Sequence, residues 1–321
     1  MKVILFAIPV LIAGSLVAAS RPQDPQTPTK AVQLTGLIGV KNNTEGSLTV
    51  ENGTLRFTHS RGTSDLAPSS IQDVVTGDDS QRVIRGTVGT LSLFAPYGAG
   101  RFLSLFRSKL DTLTIQYRDT REGLHGVIFT MPAGTAEVIK EELVALGAHT
   151  SVPVHANSTA DTLNPSDAEP GLHPQEGGSP KTDASAIKIM MIQSDEIKLP
   201  AEFQVSLYEN LIHQMQKKGG FEHVYRDSER DSTDAPNLVV LHSTVRVFKR
   251  GSERARQVTT VAGATSITVH CEFTDKNGRL LLARDIKGNV RFFGGNLKAT
   301  YDFAKKAASV AHNNISRAAG A

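Results

Sequence analysis

Ten histidines and a single cysteine, Cys271, are the side chains of this 321-residue sequence best suited to hold a metal or to serve as nucleophile and base. Two imidazoles share one side of a strand or helix when spaced His-x-His or His-x-x-x-His, and no pair here has that spacing. No metal and no other cofactor is expected. His270 and Cys271 are neighbours in a strand-like run, so they point to opposite faces and form no local thiolate–imidazole couple. Cys271, with Val269 and Phe273 two residues to either side, reads as a small buried apolar residue. A serine nucleophile would be signalled by Gly-x-Ser-x-Gly, and the chain has none. Gly86 to Gly100 carries glycines without the Gly-Lys-Ser/Thr ending that reaches phosphate and magnesium. Glu141-Glu142 and Asp78-Asp79 are adjacent acids that diverge into solvent and do not converge as an acid and a base. No catalytic residue is nominated. The sequence disfavours an enzyme without excluding one, because catalytic groups often meet only in the fold.

Two segments bear on binding. Residues 91 to 107 are rich in large apolar side chains and carry two arginines. If exposed, Phe94, Tyr97, Phe102 and Phe106 suit a lipid surface or an apolar partner, with Arg101 and Arg107 near anionic headgroups. Burial in a core is the competing expectation. Residues 249 to 256 concentrate positive charge on Lys249, Arg250, Arg254 and Arg256, which reads as a solvated hairpin tip or an anion contact.

The elements that must position these groups follow an export signal. Lys2 gives a positive start, Val3 to Val17 an almost unbroken apolar run, and Val17-Ala18-Ala19-Ser20 the small residues a signal peptidase requires. The apolar run is shorter than the roughly 20 residues of a membrane-spanning helix. Residues 1 to 20 are therefore expected to be removed, leaving a soluble periplasmic or secreted chain with no transmembrane span. The position after cleavage is Ser20 or Arg21, not the cysteine a bacterial lipoprotein needs. Of 35 basic side chains, 34 remain once Lys2 is gone, against 32 acidic ones, too even a balance for a mainly electrostatic nucleic-acid binder. One cysteine forms no intrachain disulfide, so packed cores must hold the fold.

Residues 21 to 30 hold three prolines and read as an extended tether, and residues 149 to 185 hold five more with no aromatic residue and read as a disordered linker. Two folded parts remain, 31 to 148 and 186 to 318. In the first, Asn52-Gly53 is the strongest hairpin signal, and a two-residue loop sets Val50 against Leu55 and Leu48 against Phe57 on one face. Leu113, Ile115 and Tyr117 alternate, a turn spans Asp119 to Gly123, and Gly126 to Phe129 returns. Ala136, Ile139, Leu143 and Leu146 then stripe a helix that Gly147 stops. Strands closed by one C-terminal helix resemble a small pleckstrin-homology-like barrel.

In the second part a strand at 187 to 191 precedes a helix beginning near Pro200, striped by Phe203, Leu207, Leu211 and Met215. Strands follow at 238 to 248, 267 to 273 and 280 to 282, with a last one at 290 to 293. A terminal helix capped by Asn296 carries Leu297, Tyr301, Ala304, Ala308, Ala311 and Ile315. This order predicts an α+β sandwich of antiparallel strands with both helices on one face. Arg254, Arg256 and Gly263 before a strand, then Phe273-Thr274-Asp275-Lys276-Asn277-Gly278 and Gly294-Gly295, resemble an uncharacterised bacterial envelope domain often carried by lipoproteins. The resemblance implies fold and location and brings no chemistry. The function expected is a non-enzymatic binding or adaptor protein of the bacterial envelope, its partner an envelope protein or a lipid surface. The alternatives are an envelope hydrolase with a site assembled from distant residues, and a lipid binder acting through residues 91 to 107.

Overall fold

Asn52 and Gly53 both take positive φ, 51° and 71°, as a two-residue hairpin loop demands. They join β2 (Thr44–Glu51) to β3 (Thr54–His59), and Val50 opposes Leu55 and Leu48 opposes Phe57 as the alternation predicts. The computed structural model describes residues 27–77, 110–151, 184–194, 197, 199–251, 264–290 and 295–316. The export signal, most of the tether and of the linker, the whole of 91 to 107, and Arg254 and Arg256 lie outside the described residues.

Seven antiparallel strands form the first sheet. To β2 and β3 are added β1 (Thr29–Thr35), β4 (Gly62–Leu66), β5 (Ile71–Gly77), β6 (Leu110–Arg118) and β7 (Leu124–Pro132), in the order β4-β3-β2-β1-β7-β6-β5. β4 and β5 end the sheet without pairing to each other, so it is not closed into a barrel. β1 starts at Thr29, inside the segment read as tether. Helix α1 (Thr135–Ala145) buries Ala136, Ile139 and Leu143 against one face of the sheet, in a core with Leu48, Phe57, Ile115, Val127 and Phe129. Past the helix, the chain lies along β5: Val74 N–H donates to His149 O (3.0 Å), and Ser151 N–H to Asp73 Oδ1 (2.8 Å). The first residues of the expected linker thus cover a sheet edge that would otherwise show unpaired amides.

The second sheet runs β12-β11-β10-β8-β9, with β8 (Ala186–Ile189), β9 (His223–Tyr225), β10 (Leu238–Lys249), β11 (Thr265–Asp275) and β12 (Leu280–Val290). The expectation of purely antiparallel strands is corrected here. β8 pairs in parallel with both β9 and β10, because helix α2 (Ala201–Lys218) carries the chain back between β8 and β9. β12 has 11 residues where the sequence suggested a short strand at 280 to 282, and residues 291 to 293 of the last expected strand lie outside the described residues. Helix α3 (Lys298–Asn314) has Leu297 as its N-cap, and Asn296 instead accepts a hydrogen bond from Thr265 Oγ1 (2.6 Å). Both helices bury their apolar residues on one face of this sheet, Leu207, Leu211 and Met215 from α2 meeting Phe303, Ala304 and Ala308 from α3 and Val269, Cys271 and Phe273 from β11. The fold is thus mixed α+β, two sheets and three helices among the described residues.

Candidate functional site: a buried charged junction between the two sheets

Helix α2 is apolar on more than its striped side. Val205, on the opposite flank from Leu211, packs with Leu34 of β1 and Ile128 of β7, outside the core of either half. β7 is consequently buried on both faces from Leu124 to Met131, one face by α1 and the first core, the other by α2. Gly126 is required for this approach: a Cβ there would stand 2.5 Å from Val205 Cγ1. The bare backbone lets α2 descend until Gly126 N–H donates to Glu209 Oε1 (2.9 Å).

Glu209, one turn beyond Val205, is buried, and its charge is matched by Arg226 from the segment after β9. Arg226 Nη1 donates to Glu209 Oε1 (2.7 Å) and Nη2 to Oε2 (2.9 Å), a two-armed pair. Nη1 also donates to Leu124 O across the junction (3.0 Å), and the guanidinium lies 5.8 Å from the centre of the Tyr208 ring. Burial opposes the arginine's charge, yet Glu209 outweighs it and raises the Arg226 pKa. Around this pair the β6–β7 turn docks into residues 226 to 230. Leu124 N–H donates to Asp227 O (3.1 Å), Arg230 N–H to Arg121 O (3.3 Å), and Arg230 Nη2 to Glu122 Oε1 (2.9 Å).

A second couple sits at the same place. Asp119 Oδ1 accepts the amides of Arg121 (2.8 Å) and Gly123 (2.9 Å), fixing the turn, and Oδ2 lies 2.9 Å from His125 Nε2. Burial pushes the Asp119 carboxyl up, but His125 and the two amides outweigh it and hold it below its usual value. The carboxylate is therefore the acceptor, and His125 Nε2–H the donor. The imidazole stacks on Tyr117, 5.1 Å between ring centres, and its Nδ1 is buried with no hydrogen-bond partner among the described residues. Burial first, then the charge of Arg226, hold the His125 pKa below its usual value. The Tyr117 and Tyr208 hydroxyls are pushed up, chiefly by burial.

None of these residues was singled out in the sequence for chemistry. Residues 119 to 123 read only as a turn, and the run Gly126-Val127-Ile128-Phe129 carries the one usable signal. Large apolar residues on both faces of an antiparallel strand call for cover on both sides. Of the residues that were singled out, Lys249 and Arg250 are exposed at the end of β10. Arg250 lines an open depression of about 330 Å³ with Val75, Thr76 and Thr114 of the first half and Pro200 and Glu202 at the start of α2. Cys271 is fully buried in the second core, and burial pushes its thiol up to about 12. His270 faces the other side of β11, between Asp285 (Nδ1 to Oδ1, 2.6 Å) and Glu272 (Nε2 to Oε1, 3.2 Å).

No protein-family model matches the chain, and a search of curated proteins found no match. Among solved structures, a PelC dodecamer from Paraburkholderia phytofirmans is similar at 15% identity, over 41% of this chain and 93% of that one, with a TM-score of 0.33. A chain from Caulobacter crescentus CB15 assigned as a lipoprotein matches at 17% identity over 39% of this chain and 82% of its own, TM-score 0.21. A Helicobacter pylori chain assigned as a neuraminyllactose-binding hemagglutinin homologue matches at 11% identity over 44% and 91%, TM-score 0.22. These are weak, partial likenesses. Among the described residues, no helix is long and apolar enough to cross a membrane.

Proposed function

We propose that this chain is a binding or adaptor protein of the bacterial envelope that performs no chemistry of its own. The observation that carries this reading is the buried ion pair at the junction. Glu209 and Arg226 satisfy each other and the backbone of β7, so they serve to hold one half against the other. The first half is read as a pleckstrin-homology-like module and the second as the envelope domain it resembles, presented together after export. The test is co-sedimentation of the purified chain with envelope fractions, compared with a Glu209→Ala variant that lacks the Arg226 pair and the bond from Gly126 N–H. Binding by the unaltered chain that weakens in the variant supports the reading, and no binding to any fraction counts against it.

A hydrolase has one observation in its favour, the Asp119–His125 couple, since a carboxylate on one imidazole nitrogen is how a general base is oriented. Here the other nitrogen meets no hydroxyl or thiol among the described residues, and the ring is buried under the junction. Ester or amide hydrolysis abolished by His125→Ala would revive that reading. The lipid reading of Phe94, Tyr97, Arg101, Phe102, Phe106 and Arg107 is tested by liposome co-sedimentation with Phe102→Ser and Phe106→Ser. Undiminished binding by that double variant would remove it.

A further inference from the structure

We propose that the junction between the two sheets loosens on mild acidification and that His125 is the residue that senses it. This rests on the packing at the junction and is independent of what the protein binds.

His125 projects from β7 at the point where the first half meets α2 and the segment after β9. The charged and titratable groups facing it are Asp119 on the β6–β7 turn, Tyr117 on β6, Glu209 on α2 and Arg226 after β9. With Asp119 ionised, Nε2–H stays bonded to Oδ2, so an incoming proton has only Nδ1 to occupy. That nitrogen is buried and has no hydrogen-bond partner among the described residues. Protonation thus creates an unmatched donor and a second positive charge beside Arg226, which already supplies the cation that Glu209 neutralises. The two outlets are expulsion of the ring towards water or separation of the β6–β7 turn from residues 226 to 230. Both disturb the hydrogen bonds that Leu124 N–H and Gly126 N–H donate across the junction.

The sign follows from the direction of the shift. A histidine whose folded value is lowered leaves the packed state holding fewer protons than the opened one, so the packed junction is fully favoured above the ordinary histidine value of about 6.5. That preference is lost as the pH falls through the lowered value. Asp119 does not cancel the effect, because its carboxyl stays ionised over the same interval.

Amide exchange of the purified chain tests this, with rates expressed as protection factors so that the intrinsic effect of pH is removed. Between about pH 7.5 and about pH 5.5, Gly126 and Leu124 are expected to lose protection severalfold while Val269 and Cys271 in the second core do not. His125→Gln keeps a donor for Asp119 but cannot titrate, and should show no such loss. Should that variant fail to fold, NMR titration of the unaltered chain carries the test. The His125 ring should titrate below the ordinary histidine value, with the Gly126 amide shift following the same midpoint. Equal protection at both pH values overturns the proposal, as does a loss shared with β11, a loss that persists in His125→Gln, or a Gly126 shift indifferent to His125.

Discussion

Among the described residues, two arginines grip a carboxylate with both arms, in regions that differ in almost everything else. Arg226 holds Glu209 at 2.7 and 2.9 Å under the junction, and Arg56 of β3 holds Asp65 of β4 at 2.9 and 3.0 Å on the open surface of the first sheet. The bond lengths barely separate them. The Glu209 side chain is 6% exposed and the Asp65 side chain 43%. Water can replace either partner at the surface and neither at the junction, so the same geometry should carry very different energetic weight. The difference teaches that the junction, not the count of ion pairs, is where charge matters to this fold.

The largest effect should come from removing one buried partner. Glu209→Ala leaves Arg226 charged without its carboxylate and Gly126 N–H without an acceptor, and should cost about 3–5 kcal/mol in urea unfolding. Replacing both partners, with Glu209→Leu and Arg226→Met, should recover much of that loss, because no unpaired charge remains. Equal losses in the single and double variants would break the comparison.

Gly126→Ala should come next. The new Cβ would meet Val205 Cγ1 at 2.5 Å, an overpacking that typically costs about 1–3 kcal/mol. Val205→Ala removes both close Cγ atoms, so the double variant should be less destabilised than the two single losses added together. A strictly additive cycle would mean that α2 does not rest on β7 as described.

A third case separates burial from pairing. Gln33 of β1 is fully buried, and neither its Nε2 nor its Oε1 has a hydrogen-bond partner among the described residues. It pays the desolvation cost that Glu209 and Arg226 avoid by meeting each other. Gln33→Met, similar in volume and free of polar ends, should raise stability by about 1 kcal/mol in the same unfolding measurement. An unchanged or lowered stability would indicate a polar occupant beside Gln33.

How legible these regions are in the sequence follows the same division. Hairpin and helix signals are local, so Asn52-Gly53, the Ala136 to Leu146 stripe and the Phe203 to Met215 stripe place β2, β3, α1 and α2 correctly. β4 and β5 carry Gly62, Asp65 and Asp73 and lack a clean alternation, and the parallel β9 is three residues long. Such strands are specified by their neighbours more than by their own residues. The junction is harder still to read. Glu209 and Arg226 lie 17 residues apart and look like surface residues of a helix and a loop. Their burial is dictated by β7, whose apolar residues on both faces imply a covering element without naming it. Asp119 reads as a turn residue and His125 carries no signal of its own for the same reason, since Glu209 and Arg226 beside them come from the other half.

The smallest effect should be at the surface pair, and it is the sharpest control. Arg56 also contacts Glu51 Oε1, so three residues are joined there by short charged bonds, more than Glu209 and Arg226 share between their own side chains. Yet the arginine and both acids remain accessible to water, and losing the arginine leaves Glu51 and Asp65 solvated and tolerated. Arg56→Ala should therefore leave the urea midpoint unchanged within error. It should still be visible locally: the hydrogen bond from Arg56 is the main cause holding the Asp65 carboxyl below its usual value, so Asp65 should titrate higher in the variant when followed by NMR. A raised Asp65 pKa with unaltered global stability would show that a charge pair can be fully formed and contribute almost nothing. A loss approaching that of Glu209→Ala would instead place the surface pair and the junction in one class, and remove burial as the explanation for their difference.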